Sequence, residues 1–431
     1  MPINATVKSY KLSAVLAAGL VGVVCTASPA LADDTKLTVQ GSEAVPSLQI
    51  ATGINWLSLP SWGARPDSIG SAGDSRIVDD GLNLGIILDL PLGQIGSQPF
   101  VMEWNGSIAS LSSSSTDRTS LAGQSSLNMS VGSAVGTINT LSATPVGTLP
   151  AASEAEVWGP SGPGGPGYIF TRAESTSAAD GRITQFASSP SITGSVFTAL
   201  VTNGTIPSAT ALAGYGDNAG ITFSAVGDLS SSAIVEDRNE DATVIDQTLL
   251  FGAPIDFQGG WTITPKFGPM YRSIDRDVDF RKTLRIGASV PGVTVPEVGI
   301  AQQDQLDSRY IGAMAELTMR KELQPDLSLS FDARLGGAYL HSRYRSQLSA
   351  ILPTMTTSPF DFVSETRDDA SLLAGAGAGL RYAPKENLLV GLDAGLDFIN
   401  KTPTIDYVTD AGGVTPRIGM SHAINYNSLS A

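Results

Sequence analysis

Apolar and polar positions alternate with a period of two through much of this chain. Within residues 327–339 the odd positions are Leu327, Leu329, Phe331, Ala333, Leu335, Gly337 and Tyr339, and the even ones Ser328, Ser330, Asp332, Arg334, Gly336 and Ala338. Successive side chains of a strand point to opposite faces, so this segment has one oily face and one polar face carrying a charge pair; a helix would mix the two sets. The same rhythm appears in Leu48, Ile50, Ile54 and Trp56, in Leu82 through Leu92, and in Phe100, Met102, Trp104 and Ile108. It returns at Leu249 to Phe257, Trp261 to Tyr271, Ile311 to Met319, Leu372 to Tyr382 and Leu388 to Phe398, and ends with Ile418, Met420, Ile424 and Tyr426. Alternation alone fits a half-buried soluble strand and a membrane-spanning one equally well.

The connections break that tie. Short links at residues 93–98, 258–260, 324–326 and 384–387 alternate with long ones. A transmembrane barrel has short periplasmic turns and long outer loops, whereas a sandwich obeys no such rule. Aromatic residues stand at the ends of oily faces as a girdle: Trp56, Trp261, Tyr271, Tyr339, Tyr382 and Phe398. The ten residues from Trp261 to Tyr271, at the rise and tilt of barrel strands, cover ~25 Å, the height of a lipid-facing apolar band. Glycine crowds the polar faces, as suits a lumen. The predicted fold is all-β: an antiparallel up-and-down transmembrane β-barrel of about ten strands, or twelve if the insert described next adds a pair. An even number places both termini in the periplasm. Pro265 and Pro269 sit awkwardly in a paired strand.

Residues 112–241 differ in character. They are rich in Ser, Thr, Gly and Ala and contain the Gly- and Pro-dense run 159–167, which cannot be a central strand or helix. An insert of this length is a surface loop, a plug folded into the lumen, or extra strands. The remaining outer connections, including the charged stretch up to Ser308, read as long loops.

Lys8 and Lys11 precede an apolar run from Leu12 to Val24, and Ser28-Pro29-Ala30-Leu31-Ala32 ends in small residues. This pattern predicts a secretory signal peptide over residues 1–32, cleaved after Ala32, with the barrel over 33–431. The only cysteine, Cys25, falls within that leader, so the mature chain forms no disulfide and no thiolate metal site. Removing two lysines leaves 41 acidic against 24 basic residues, a net charge of −17, which argues against nucleic acid as a partner. No later stretch is apolar enough for a spanning helix.

On this pattern the chain resembles Gram-negative outer-membrane β-barrels, and more distantly, around residues 326–344 and the hairpin before them, the pore-forming major outer-membrane proteins. The resemblance implies a place in the outer membrane, lipid contact, and periplasmic chaperones and barrel-insertion machinery as partners during biogenesis. It also implies a porin-like passive channel for ions or small solutes. The alternative is a closed structural barrel that presents its large insert as adhesin, receptor or shield. Such barrels usually end on an aromatic residue, whereas this chain continues five residues past Tyr426.

The polar faces supply the candidate lumen lining: Asp89, Glu103, Asp256, Lys266, Arg272, Glu316, Arg320, Asp332, Arg334, Arg381, Asp393 and Asp397. They form either an internal network of paired charges or the wall of a pore. No catalytic, cofactor or metal site is expected. His341 and Ser342 are adjacent, so on a strand they point to opposite faces and share no proton. Residues 236–241, Glu-Asp-Arg-Asn-Glu-Asp, lack the ligand spacing of a calcium loop and read as a solvated acidic loop.

Overall fold

Ten long strands hydrogen-bond into one closed antiparallel ring. They are β1 (Ser47–Pro60), β2 (Arg76–Ile95), β3 (Gln98–Ser120), β4 (Ala233–Gly252), β5 (Trp261–Arg285), β6 (Val298–Gln324), β7 (Leu327–Leu352), β8 (Asp361–Lys385), β9 (Leu388–Asp410) and β10 (Gly413–Ser430). Each pairs with its neighbour in sequence; β10 closes on β1, and β4 pairs with both β3 and β5. The computed structural model describes residues 46–63, 76–95, 98–132, 137–159, 162, 165, 167–177, 183–189, 194–202, 206–216, 220–286, 297–352, 355–356, 361–385, 388–410 and 413–430. The leader predicted for residues 1–32 lies outside the described residues.

Around the ring, the oily faces point outward. Leu82 is 77% exposed and Leu335 63%, and Leu48, Ile50, Phe267, Ile311, Leu372 and Leu392 stand out in the same way. An apolar belt that runs around a closed ring far exceeds the few hundred Å² a soluble monomer exposes, so its solvent is lipid. Tyr271, Ile311 and Tyr339 share one register row at its outer limit, while Trp261, Lys321, Leu329 and Leu380 share one near the short turns. Trp56, Tyr382 and Phe398 also face outward and are exposed. Lys321 extends its ammonium over the Trp261 ring, 5.5 Å from the centroid, as a basic chain reaching for the membrane surface does. Pro269 is accommodated by a gap: the β4–β5 ladder passes from Thr248–Met270 to Phe251–Phe267, omitting the rungs where a missing N–H would tell.

Beyond the outer row the strands do not end, and this corrects the expectation of long loops there. β5 continues fourteen residues past Tyr271, roughly 35 Å at barrel rise and tilt. The two faces exchange character. Outward positions become Asp277, Asp279 and Arg281 on β5, Arg309 on β6, and His341, Arg343 and Arg345 on β7, all exposed. Inward positions become Ile274, Val278, Phe280 and Leu284, with Leu306 and Ile300 on β6 and Leu340, Tyr344 and Leu348 on β7, all buried. The same strands are thus an inside-out barrel in lipid and an ordinary apolar-cored barrel in water. Ile418 and Met420, expected on the oily outer face of β10, accordingly pack inward at this level.

The insert is narrower than 112–241, because β3 runs to Ser120 and β4 begins at Ala233. Residues 236–241 belong to β4 and are not a loop. Between them, strands Ser126–Gly132, Gly220–Gly227, Pro207–Gly216, Gly194–Thr202 and Ile183–Ser189 form a five-stranded sheet, and Thr137–Ala143, Ala151–Trp158 and Ile169–Ser175 a three-stranded one. The sheets meet through Ala155, Val157 and Ile169 against Ala211, Ala213 and Tyr215; the alanines allow close approach. The five-stranded sheet sets Met129, Val131, Leu212, Ile221 and Phe223 against Ile234, Leu284, Val298, Ile300 and Leu348, the inner faces of β4 to β7 near their outer ends. The insert is therefore extra strands that cover the outer mouth.

Candidate functional site

Within the membrane-spanning half, the inward faces enclose a cavity of about 640 Å³. Its lining runs from Glu322 and Arg381 near the short turns to Met270, Met314 and Arg272. Of the twelve residues expected to face the lumen, eleven line this cavity; Asp256 does not. Pro254 follows the end of β4 at Gly252, and Ile255–Phe257 is a separate three-residue strand, fully exposed, in which Asp256 accepts from Thr262 Oγ1 at 3.2 Å. Two ionisable residues that sequence reading passed over also line it: Asp246 and Glu322. Asp246 was legible, because with Leu249 and Phe251 outward the phase of β4 turns it inward.

Cations and carboxylates alternate around the wall. Lys266 is bonded to Glu103 and lies 3.0 Å from Glu316 Oε1. Arg272 is bonded to Asp246, and one of its terminal nitrogens lies 3.6 Å from Asp397. Arg334 stands 3.1 Å from Asp332 and 3.9 Å from Asp397. The glycines of β8 give these carboxylates room. An added Cβ would come within 2.3 Å of Asp397 Oδ1 at Gly375, 2.3 Å of Asp332 Oδ1 at Gly377, and 2.1 Å of Asp393 Oδ1 at Gly379. Three carboxylates thus lie over one glycine track in the space side chains would otherwise fill. In all, eight acids and five bases line the cavity, so its interior is net negative.

Above the cavity the lumen is crossed by an apolar septum. Leu57, Leu111, Val244, Leu250, Met270, Ile274, Tyr310, Met314, Leu340, Leu373 and Ile399 form one buried cluster contributed by nearly every strand. Met270 and Met314 belong both to this septum and to the cavity roof. On the outer side of the septum lies a second polar layer. Glu240 is bonded to Arg238 and accepts from Arg276 Nε at 2.6 Å; Arg276 also donates to the Pro60 carbonyl and stacks 4.3 Å over the Trp62 ring. Burial alone would raise the Glu240 carboxyl, but Arg276 and Arg238 outweigh it and hold it below the usual carboxylate range. Asp304 Oδ2 accepts from Trp62 Nε1 at 2.9 Å and Gln302 Nε2 at 2.8 Å. Its burial, with no cation in contact among the described residues, pushes the carboxyl up despite these donors.

The acid–base pair considered from sequence does not assemble. His341 faces outward with Nδ1 2.6 Å from Asp368 Oδ1, while Ser342 is buried on the opposite face. Among the described residues no group of three or more His, Cys, Asp or Glu is placed to hold a metal ion.

Ring, lipid belt and charged lumen define a transmembrane β-barrel. No family model matches the chain, and no curated protein matches it. Solved structures similar to it include a Pseudomonas aeruginosa FadL homologue, with 11% identity, a TM-score of 0.24 and 89% of each chain covered. The outer membrane channel DcaP of Acinetobacter baumannii has 9% identity and a TM-score of 0.15, over 90% of this chain and 99% of that one. The Ralstonia pickettii toluene transporter TbuX has 9% identity and a TM-score of 0.14, over 89% and 88%. The fold assignment rests on the closed ring and its belt, not on these similarities.

Proposed function

We propose that this chain is an outer-membrane channel for small, preferentially cationic solutes, and that the described conformation is its closed state. The observation that carries this reading is the charged cavity of about 640 Å³ inside the lipid-facing half. A barrel that only has to close would fill that space with side chains, as narrow barrels do. Here glycine on β8 makes room for three carboxylates along one wall, and ionisable groups of both signs face the space with an excess of three carboxylates, which favours cations electrostatically. The septum belongs to the same reading as the barrier that opening must remove.

The test is single-channel recording of the folded protein in a planar bilayer, with a salt gradient to read the reversal potential. Discrete steps with a reversal potential toward the cation equilibrium value are expected, and Asp332→Asn with Asp393→Asn should shift it toward zero. Silence from protein that is folded by heat-modifiable migration would sink the channel reading. That silence would support a second reading, favoured by the apolar septum and the folded insert over the outer mouth: a sealed barrel that displays the insert at the cell surface.

A further inference from the structure

The outer limit of the belt carries more than aromatic chains. Beyond the row of Tyr271, Ile311 and Tyr339, the outward faces of β6 and β7 present two arginines. Arg309 lies two residues past Ile311 and Arg343 four past Tyr339, and both are exposed. The ladder sets Arg309 opposite His341 and Arg343 opposite Asp307, so the two arginines are diagonal neighbours on one face, with Cα atoms about 7–8 Å apart. At barrel rise and tilt they stand ~5 and ~10 Å beyond the belt. The headgroup layer of a bilayer begins at the same limit and is ~5–7 Å deep; Arg343 reaches back into it along its aliphatic stem.

The carboxylates around them are already engaged. Asp307 accepts from Arg345 at 3.1 Å. Asp368 Oδ1 lies 2.6 Å from His341 Nδ1, and His341 with the Tyr339 hydroxyl holds that carboxyl below the usual range. Asp275 accepts from Ser273 Oγ at 3.0 Å, while burial and the facing Asp307 push its carboxyl up. Arg309 lies near enough to oppose that rise but closes no ion pair. Among the described residues, neither Arg309 nor Arg343 has an ion-pair or side-chain hydrogen-bond partner. The adjoining sector differs: at the level of Arg309, β4 and β3 present Ile245 and Ile108, followed outward by Thr243 and Ser110. Two unengaged guanidinium groups thus share one place on the rim, in a chain of net charge −15.

Directly below them the wall is apolar, with Ile311, Leu335 and Tyr339 exposed. An amphiphile with a phosphate next to its acyl chains matches both halves of this surface. The chains lie on the belt, and the phosphate meets two arginine forks, whose planar donors suit its oxygens. We propose that the β6–β7 rim is a binding site for a phosphorylated lipid of the outer leaflet, with Arg309 and Arg343 taking the phosphate. Such a site needs the belt but not a conducting lumen.

Bisphosphorylated lipid A, and the same glycolipid stripped of its phosphates, would be titrated into the folded protein in neutral detergent and the bound copies followed by native mass spectrometry. The phosphorylated form should bind more tightly by at least about tenfold, the loss expected of one charge-assisted hydrogen bond. Arg309→Gln with Arg343→Gln should lower it to the level of the stripped lipid. Arg281→Gln with Arg285→Gln removes the same charge from β5, ten and fourteen residues past Tyr271, and should leave binding as in wild type. Heat-modifiable migration checks that each variant is folded, and the two lipids on wild type decide the matter without any variant. Equal binding of the two lipids by wild type would overturn the proposal. So would a rim pair that binds as wild type does, or an equal loss from both pairs, which marks general electrostatics. Displacement of the lipid by inorganic phosphate would make this a free-anion site and overturn it too.

Discussion

An arginine scan along the outward face of β7 tests the exchange of solvents along one strand. The register rows place Leu329 near the inner limit of the belt and Tyr339 at its outer limit, so Leu335, 63% exposed, lies within one residue of the middle. Leu335→Arg should therefore carry the full midplane penalty of about 2–4 kcal/mol, and Tyr339→Arg only about 0–1 kcal/mol. Phe331→Arg lies one rung inside the Leu329 row and should fall between, with a further loss of about 0.5–1.5 kcal/mol from its ring contact with Trp261, centroids 6.3 Å apart; Phe331→Leu measures that contact separately. Arg343 is already cationic on the same face two rungs beyond Tyr339, and Arg343→Leu should change stability little. In the lumen, Ser330→Arg should cost less than Leu335→Arg. The assay is urea unfolding in lipid vesicles followed by tryptophan fluorescence. A flat profile, or a maximum at Tyr339 or beyond, would refute the placement of lipid on this face and with it the reading of the lower half as transmembrane.

Three further outcomes follow from individual contacts. Glu240→Gln leaves Arg276, its side chain 1% exposed, without its carboxylate and should destabilise by about 3–5 kcal/mol, read as a shifted urea midpoint with unchanged slope. Asp304 has a folded-state pKa raised above its unfolded value, so the folded chain binds that proton more tightly and loses stability as pH rises between the two. Asp304→Asn should abolish that component, and equal pH slopes for wild type and variant between pH 4 and 8 would exclude it. Gly312→Ala places a Cβ 2.0 Å from the Gly337 carbonyl oxygen, a backbone atom, and should cost about 1–3 kcal/mol. Gly377→Ala meets only the end of the Asp332 side chain and should cost less while displacing that carboxylate, so thermal melts should rank the two in that order.

What the sequence disclosed was the lower half, where one phase of alternation holds from end to end. Leu327 to Tyr339 reads correctly because each odd residue meets lipid and each even one the lumen. Past Tyr339 the oily set moves to the even positions, Leu340, Tyr344 and Leu348, and the odd ones become His341, Arg343 and Arg345. A reading that expects one phase sees this as the end of a strand. The same slip hid the outer part of β5, where the oily set passes from Phe267 and Tyr271 to Ile274 and Val278. Most of the cavity lining followed from the lower phase, and Asp256 misled because Pro254 ends the strand that would have turned it inward. The septum could not be read, since Leu340 or Tyr310 looks like any apolar position until ten strands bring it to one level. Nor could the course of residues 400–423, which alternate like a wall strand although, among the described residues, they ladder neither to β8 nor to β1.

The membrane boundary is marked twice, by independent sets of residues. Outside, the belt stops at Tyr271, Ile311 and Tyr339; inside, the apolar septum spans from Met270 and Met314 to Ile274, Tyr310 and Leu340, within three residues of that row on each strand. In lipid a barrel needs no apolar core, because the belt supplies the favourable environment for its apolar chains and the lumen can stay polar. In water the same ring has to bury apolar surface somewhere, and only its interior is available. The switch on one face therefore obliges the switch on the other, and the septum sits where lipid ends. The septum therefore straddles the outer limit of the belt, with Leu250, Met270 and Met314 on its lipid side, and roofs the charged cavity from there.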